Sequence, residues 1–321
     1  MLQQTQVKTV LNYYPRFLQR FPTLADLAQA NLEEVMPYWA GLGYYARARN
    51  LHRCAQTVMQ EWQGQFPQRF EELRQLPGIG PSTAAAIAAF AFGERVSILD
   101  GNVKRILCRF AGIDAPLNRS QTEKQLWALA QQLLAAAPAD LPIGSYTQGL
   151  MDLGALVCTR SRPRCEQCPL QPHCHAFHTQ TQDLLPQRRP RATIPTRQRH
   201  MLIWTNDQHV LLHQRPPTGI WGGLYALPSF KDQQQLTEFV PPRPDTAQPC
   251  RLQALNSVQH RFTHFELVIH PWLLQTAVQP QPNPLPLSPR LAADYHWVAR
   301  HQLEQIALPA PIQRLLQDHL T

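Results

Sequence analysis

Residues 76–92 read LPGIGPSTAAAIAAFAF, and the N-terminal fold turns on how this stretch is read. Gly78 and Gly80 flank one apolar residue, Ile79, ahead of a run that is Ala-rich and apolar nearly all round. Two glycines at that spacing let the backbone turn tightly. Thr83–Phe92 has the composition of a buried helix. A turn of this kind at a helix N-terminus aims amide N–H groups outward, and those amides make an anion site. A plain helix-turn-helix bend carries the same letters, because a lone G-x-G is a weak signal. The rest of the chain has to decide between them.

On either side the pattern stays helical. Val7, Val10, Leu11, Tyr14, Phe17 and Leu18 recur at the spacing of an amphipathic stripe. Thr23 followed by Asp26, and Ser120 followed by Glu123, resemble capping boxes that open further helices. The second of these carries Leu126, Leu129, Leu133 and Leu134 and stops at Pro138. Residues 1–178 therefore predict an all-α domain. Residues 179–200 are polar, with three prolines and five arginines, and read as an exposed linker. Beyond it, Met201–Trp204 and Val210–His213 flank Asn206-Asp207 as a hairpin. Leu267–Leu274 is another strand, which Pro271 should confine to an edge or a bulge. Residues 279–290 form a Pro-rich loop and 302–320 a helical end. The expected architecture is a mainly α domain (1–178), a basic linker (179–200) and a smaller α+β domain (201–321).

The length, 321 residues, suits two domains. A hydrophobic share of 44% with 16% charged residues excludes a disordered or collagen-like chain. The formal net charge is +8, which suits a polyanionic partner, nucleic acid first. No apolar run approaches the roughly 18 residues of a membrane span, and the first residues lack the pattern of a secretory signal. A cytoplasmic protein without a membrane partner is the expectation. In such a setting the cysteines speak for metal rather than disulfides: four of the seven fall in Cys158-x6-Cys165-x2-Cys168-x5-Cys174. Thiolates hold zinc or iron–sulfur clusters, and the spacing does not choose. Arg160, Arg162 and Arg164 interleave them, well placed for a phosphate backbone. Cys54, Cys108 and Cys250 stand apart and read as inert thiols.

Two further patches carry chemistry. In Leu99-Asp100-Gly101-Asn102-Val103-Lys104-Arg105, Asp100 follows an apolar pair and precedes a glycine. It reads as a helix N-cap, as a carboxylate facing a developing cation, or as both. Gly41-Leu42-Gly43-Tyr44-Tyr45-Ala46-Arg47-Ala48-Arg49 interleaves aromatics with arginines, a composition suited to wedging between bases and neutralising phosphates. One tyrosine is expected in the core and one at the surface.

Taken in order, these patches resemble the adenine DNA glycosylases of the MutY type, within the helix-hairpin-helix glycosylases that carry a [4Fe–4S] cluster. The motifs are MLQQTQV, GLGYYARARNL, LPGIGPSTAAAI, ILDGNVKR, MDLGALVCTRSRPRCEQCPLQPHC and RPPTGIWGGLYALP, and they span essentially the whole chain. The resemblance implies base-excision repair on double-stranded DNA, by a monomer acting at the nucleoid of a bacterium. The reaction implied is hydrolytic removal of adenine mispaired with 8-oxoguanine or guanine, after the adenosine is flipped out of the duplex. Asp100 matches the aspartate that stabilises the oxocarbenium-like sugar, and Asn102 helps order that pocket. Gly78 and Gly80 match the hairpin that grips phosphate. Gln4 and Tyr44 match residues that wedge into the stack beside the oxidised guanine, and Thr5 matches a contact to that base. Gln3, Ser82 and Lys104 complete the expected DNA contacts on this domain. Cys158, Cys165, Cys168 and Cys174 match the ligands of the [4Fe–4S] cluster.

Departures from the family pattern are equally informative. Relatives of the endonuclease III type, which also cut the strand, place a nucleophilic lysine where this chain has Ser82, and a serine forms no Schiff base. A monofunctional glycosylase is implied. The C-terminal domain resembles a Nudix fold, yet a working Nudix hydrolase needs clustered glutamates for Mg²⁺. After residue 190 the glutamates are Glu238, Glu266 and Glu304, far apart in sequence. The domain is expected instead to read 8-oxoguanine through Phe262-Thr263-His264, where the family has Phe-Ser-His. The family motif also runs Ser-Glu-Val-Met-Leu-Gln-Gln-Thr-Gln, so its general-acid glutamate would precede Met1. Such a group typically supplies about 10²–10⁴-fold in rate. An internal methionine taken as the start, or a mispair-binding chain that does not excise, both account for this. Glu33 and Glu34 fit a solvated helix face and do not replace it.

Overall fold

The computed structural model describes residues 1–3, 5–187, 193–206, 208–240, 251–276 and 295–320. Gln4, Asp207, Cys250 and the Pro-rich segment 279–290 lie outside them. The chain forms two compact units, Met1–Gln56 with Thr193–Thr321, and Thr57–Ala192. No helix among the described residues is long and apolar enough to cross a membrane.

The first unit opens with short helices, α1 (Val7–Val10), α2 (Tyr14–Arg20), α3 (Leu24–Gln29) and α4 (Leu32–Val35). The stripe expected over residues 7–18 is broken by a turn at residues 11–13. Val10 and Phe17 face the core, while Val7, Leu11, Tyr14 and Leu18 are exposed. The Thr23 box forms as read: the Asp26 amide donates to Thr23 Oγ1 (3.1 Å) and the Thr23 amide to Asp26 Oδ2 (3.0 Å). The division between the units falls inside α5 (Ala46–Glu61).

The second unit continues with α6 (Phe70–Leu73), α7 (Pro81–Phe92), α8 (Gly101–Ala111), α9 (Ser120–Ala136), α10 (Ile143–Asp152) and α11 (His175–His178). Helix α7 buries Ala84, Ala85, Ala88 and Ala89 on one face, but Phe90 and Phe92 stay exposed, so its burial is one-sided. The expected box at Ser120 does not form. Arg119 is the N-cap of α9 and makes no side-chain cap bond. The Glu123 carboxylate is engaged instead by Lys104 Nζ at 2.6 Å, and an ion pair holds it more strongly than a backbone amide would.

Among the described residues, the rest of the first unit includes an eight-stranded sheet: β1 (Thr196–Thr205), β2 (His209–Gln214), β3 (Tyr225–Ala226), β4 (Ser229–Phe230), β5 (Arg251–Ala254), β6 (Val258–Arg261), β7 (Glu266–Gln275) and β8 (Tyr295–Ala299). Strand β1 begins inside the stretch read as linker. Strands β1 and β2 pair antiparallel, as the hairpin reading expects, with Thr205 opposite Val210; Asp207 of the expected turn lies outside the described residues. Met201–Thr205 is buried throughout, because the sheet is covered on both faces. One face packs Met201 and Ile203 with Phe17, Met36 and Trp39 of the N-terminal segment and with Ile312 and Leu315. The last two belong to the closing helix Ala310–Leu320, with Pro311 in its first turn, and the other face packs Leu202 and Trp204 with Leu236.

Pro271 overturns an expectation. Strand β7 is interior, parallel to β1 on one side and antiparallel to β5 and β6 on the other. The proline is tolerated because β6 pairs with residues 266–269 of β7 and β5 with 272–275, so Pro271 falls at the break between them. Its carbonyl accepts from the Leu255 amide (2.9 Å), and the return bond that its missing N–H cannot make falls where the ladder is already interrupted.

Candidate functional site

Gly78 is the residue that makes the hairpin. Its φ of 78° is the left-handed region open to glycine at no steric cost. Gly80 is the N-cap of α7, exposed, and a Cβ there would meet nothing within 4 Å. The three residues between Leu76 and Gly80 are flanked by the Ile79 amide on Leu76 O (3.1 Å) and the Ala84 amide on Gly80 O (2.9 Å). Because α7 starts at Pro81, which has no N–H, the helical amides that an anion at this N-terminus would meet begin at Ser82. Ser82 lies in this first turn, half-buried.

Asp100 is set by the buried pair Ile98 and Leu99 at the start of α8. It is an N-cap: Oδ1 accepts from the Val103 amide at 2.8 Å. Its other carboxylate oxygen has no hydrogen-bond partner among the described residues, so capping leaves a negatively charged oxygen available. Asn102 sits one turn in. Its Oδ1 accepts from Arg105 (2.9 Å), and the same guanidinium donates to Gly154 O (2.6 Å) and Cys158 O (2.7 Å). Arg105 thus ties the first turn of α8 to the segment that leads into the cysteines. That segment, Leu153–Val157, is a π-helical turn. A Cβ on Gly154 would lie 2.5 Å from Asn102 Cβ, so only glycine permits this approach. Gly154→Ala is expected to push Asn102 aside and cost the helical unit about 1–3 kcal/mol. The check is its melting temperature, and a variant melting with the wild type would show that the turn relaxes freely.

The four cysteines come together. Tight turns at Cys165–Gln167 and Gln171–His173 bend the loop. Cys158, Cys165, Cys168 and Cys174 then line one cavity, with Ile106, Phe110 and Leu170 as its apolar wall. Among the described residues no group of three or more His, Cys, Asp or Glu is close enough to hold a single metal ion. Four sulfurs on one zinc would sit at about 2.3 Å from a common centre. Thiols spread around a cavity suit a larger polynuclear group. Burial, and then the neighbouring cysteines, push the Cys165 thiol above its usual range.

Arg109, only 3% exposed, closes the site from α8. It donates to Leu185 O (2.9 Å), Thr159 O (2.7 Å), Arg160 O (3.4 Å) and Cys158 Sγ (3.3 Å). No carboxylate balances this buried charge among those partners, and a thiolate-bound cluster would. Sequence reasoning missed Arg105, Arg109 and Gly154. A signal exists for Arg109, an arginine inside the apolar run ILCRFAG, but not for its partners. Cys54 and Cys108 are buried as expected, and burial pushes the Cys108 thiol up to about 11.

In the first unit, Tyr44 is half exposed and Tyr45 faces the core, as the motif predicts. Tyr44 has φ 49°, between Gly43 at 71° and the start of α5. Thr5 is brought to Tyr44 through Arg47, which donates to Thr5 Oγ1 (2.9 Å) and Gly43 O (3.3 Å). Phe262, Thr263 and His264 form the turn between β6 and β7, closed by the Phe262 amide on Phe265 O (2.9 Å). Phe262 stacks on Phe265, leaving Thr263 and His264 exposed.

A helix-hairpin-helix turn, an adjacent capped aspartate and a four-cysteine loop, with a mixed sheet in the other unit, define a base-excision repair protein. Residues 1–132 match the family model described as HhH-GPD superfamily base excision DNA repair protein, and residues 199–318 match a NUDIX domain. The chain belongs to the adenine DNA glycosylase family. It is 32% identical to adenine DNA glycosylase of Buchnera aphidicola subsp. Acyrthosiphon pisum (strain APS), over 99% of this chain and 87% of the relative. It is 33% identical to the Homo sapiens adenine DNA glycosylase over 99% of this chain and 66% of that protein. The Rattus norvegicus adenine DNA glycosylase is 37% identical over 83% of this chain and 61% of its own length.

Proposed function

We propose that the protein removes adenine from mispairs with 8-oxoguanine or guanine in double-stranded DNA, by hydrolysis without strand cleavage. The observation that carries this reading is Asp100, held rigidly at the N-cap of α8 with one carboxylate oxygen left over. As the bond from the sugar to adenine breaks, positive charge grows on the sugar ring, and a fixed carboxylate beside it is stabilising from the start. The leaving adenine takes a proton from a general acid, and water adds to the sugar. Ser82 offers no amine, so no covalent enzyme–sugar adduct forms there. The Gly78–Gly80 turn grips the phosphate that flipping exposes. Lys104, bonded to Glu123, and Gln3 contribute contacts to the backbone.

The four thiols and Arg109 fit a [4Fe–4S] cluster, held by Cys158, Cys165, Cys168 and Cys174. When bound it supplies negative charge and cross-linking to the loop carrying Arg160, Arg162 and Arg164, which then meets the duplex. In the sheet unit, Thr263 keeps the hydroxyl of the family's serine and presents it to 8-oxoguanine. Excision is assigned to the helical residues 1–178 and lesion reading to the sheet, which starts at Thr196 rather than at residue 201, in a monomer at the nucleoid.

A second reading is a mispair-binding protein that does not excise. It is favoured by the carboxylates on the page: Glu34 is paired with Arg20, Glu33 accepts from Gln214 Nε2 (2.7 Å), and both are exposed. Neither stands in for the family's general acid. Single-turnover excision on an A:8-oxoguanine duplex separates the two. The assay uses the 321-residue chain beside one extended in frame upstream of Met1 through Ser-Glu-Val. Excision by the extended chain alone supports the proposal and the role of the glutamate. Excision by both removes the glutamate's role, and binding without excision by either leaves the second reading standing.

A further inference from the structure

We propose that Arg47 is a positioning residue for lesion recognition, joining residues 1–5 to the 41–44 turn so that Thr5 and Tyr44 meet the oxidised guanine as one surface. This rests on the functional reading above. Arg47 bridges two segments that each have some anchoring of their own: Leu42 is buried with its amide on Trp39 O (3.1 Å), and Met1 packs against the same core. Among the described residues before Val7, none lies in a helix or strand, and the Thr5 amide donates to Leu2 O (3.2 Å). The 41–44 turn uses positive φ at Gly41, Gly43 and Tyr44, a conformation that strains a non-glycine residue such as Tyr44. Such a conformation persists only where its surroundings impose it.

Arg47 is that surrounding. One terminal nitrogen donates to Met1 O (2.6 Å) and to Gln3 O. The other donates to Thr5 Oγ1 (2.9 Å) and Gly43 O (3.3 Å). Its backbone amide donates to Tyr44 O (2.9 Å). The guanidinium lies over the buried Trp39 ring (5.4 Å) and over the Tyr44 ring (5.6 Å). Burial lowers its pKa from the usual arginine value. An arginine in the GLGYYARAR motif would ordinarily be read as a phosphate contact. This one has both terminal nitrogens engaged within the protein, and its Nε is buried. It shapes the surface from behind. Lysine is no substitute, since a point charge cannot hold four acceptors in a plane.

The experiment compares the wild-type chain, Arg47→Lys and Arg47→Met by fluorescence anisotropy. The ligands are a duplex pairing 8-oxoguanine with a non-hydrolysable adenosine analogue and the matched undamaged duplex, each at several salt concentrations. No excision is required. The expected result is a loss of about tenfold or more in preference for the lesion, with affinity for undamaged DNA and its salt dependence nearly unchanged. Equal weakening on both duplexes, with the salt slope reduced by about one, would identify a phosphate contact and overturn the proposal. Unchanged preference would overturn it too. A wild-type chain that binds both duplexes alike sinks the functional reading itself, and the role of Arg47 with it. Should Arg47→Met fail to fold, Arg47→Lys and Thr5→Val carry the test. The second removes one acceptor and should lose part of the preference at an unchanged melting temperature.

Discussion

Asp100→Asn is expected to lower single-turnover excision of adenine by about 10³-fold, while lesion binding and melting temperature stay close to wild type. The separation follows from the two jobs of this side chain. As a cap, one oxygen accepts from the Val103 amide at 2.8 Å. Asparagine caps about as well as aspartate, so the first turn of α8 should survive the exchange. As a carboxylate, on the function proposed above, the group would carry the charge that opposes the growing cation on the sugar, and asparagine has none. Asp100→Ala divides the roles further, because it loses the cap as well and should cost about 1 kcal/mol in stability. The measurement uses whichever chain excises adenine, the 321-residue one or its extended form. If Asp100→Asn loses DNA binding while keeping its fold and its iron, the aspartate is structural. If it keeps the wild-type rate, the charge does not act on the sugar.

What the sequence made legible was local. The Thr23 cap, the Ala-rich helix after Gly80, the β1–β2 hairpin and the gathering of four cysteines each depend on residues within about one or two turns of one another. Where a distant partner decides, the reading went astray. Glu123 has the spacing of a capping box, but Lys104, nineteen residues earlier, takes its carboxylate. Pro271 has the look of an edge residue, but the break between β5 and β6 makes an interior position harmless. The stripe over residues 7–18 has helical spacing, but a turn splits it and leaves half of it exposed. The site followed the same rule. Asp100, Gly78 and Gly80 announce themselves by their neighbours, whereas Arg47, Arg105 and Arg109 are arginines among thirty basic residues until their acceptors are seen.

Arg109→Met is expected to destabilise the helical unit by about 3–5 kcal/mol and to yield a chain that is largely insoluble or free of iron. The side chain is of similar length, so the loss is one of donors and charge rather than volume. Three carbonyls, those of Leu185, Thr159 and Arg160, and the Cys158 sulfur would lose their partner in a buried setting. An unsatisfied buried acceptor costs about 1–3 kcal/mol, and even partial relaxation leaves several kcal/mol against a domain stability of about 5–15 kcal/mol. The partners also lie on both sides of the cysteine loop, Thr159 and Arg160 just after its first ligand and Leu185 beyond its last. Losing Arg109 therefore frees the loop at both ends. Arg109→Lys tests the charge by itself. It keeps a cation near the thiolates but reaches fewer of the acceptors, and should fall between the two in melting temperature and iron content. Iron per chain, visible absorption and thermal melting measured together decide the matter. An Arg109→Met chain with wild-type iron and melting would mean that the loop is held by its cysteines alone.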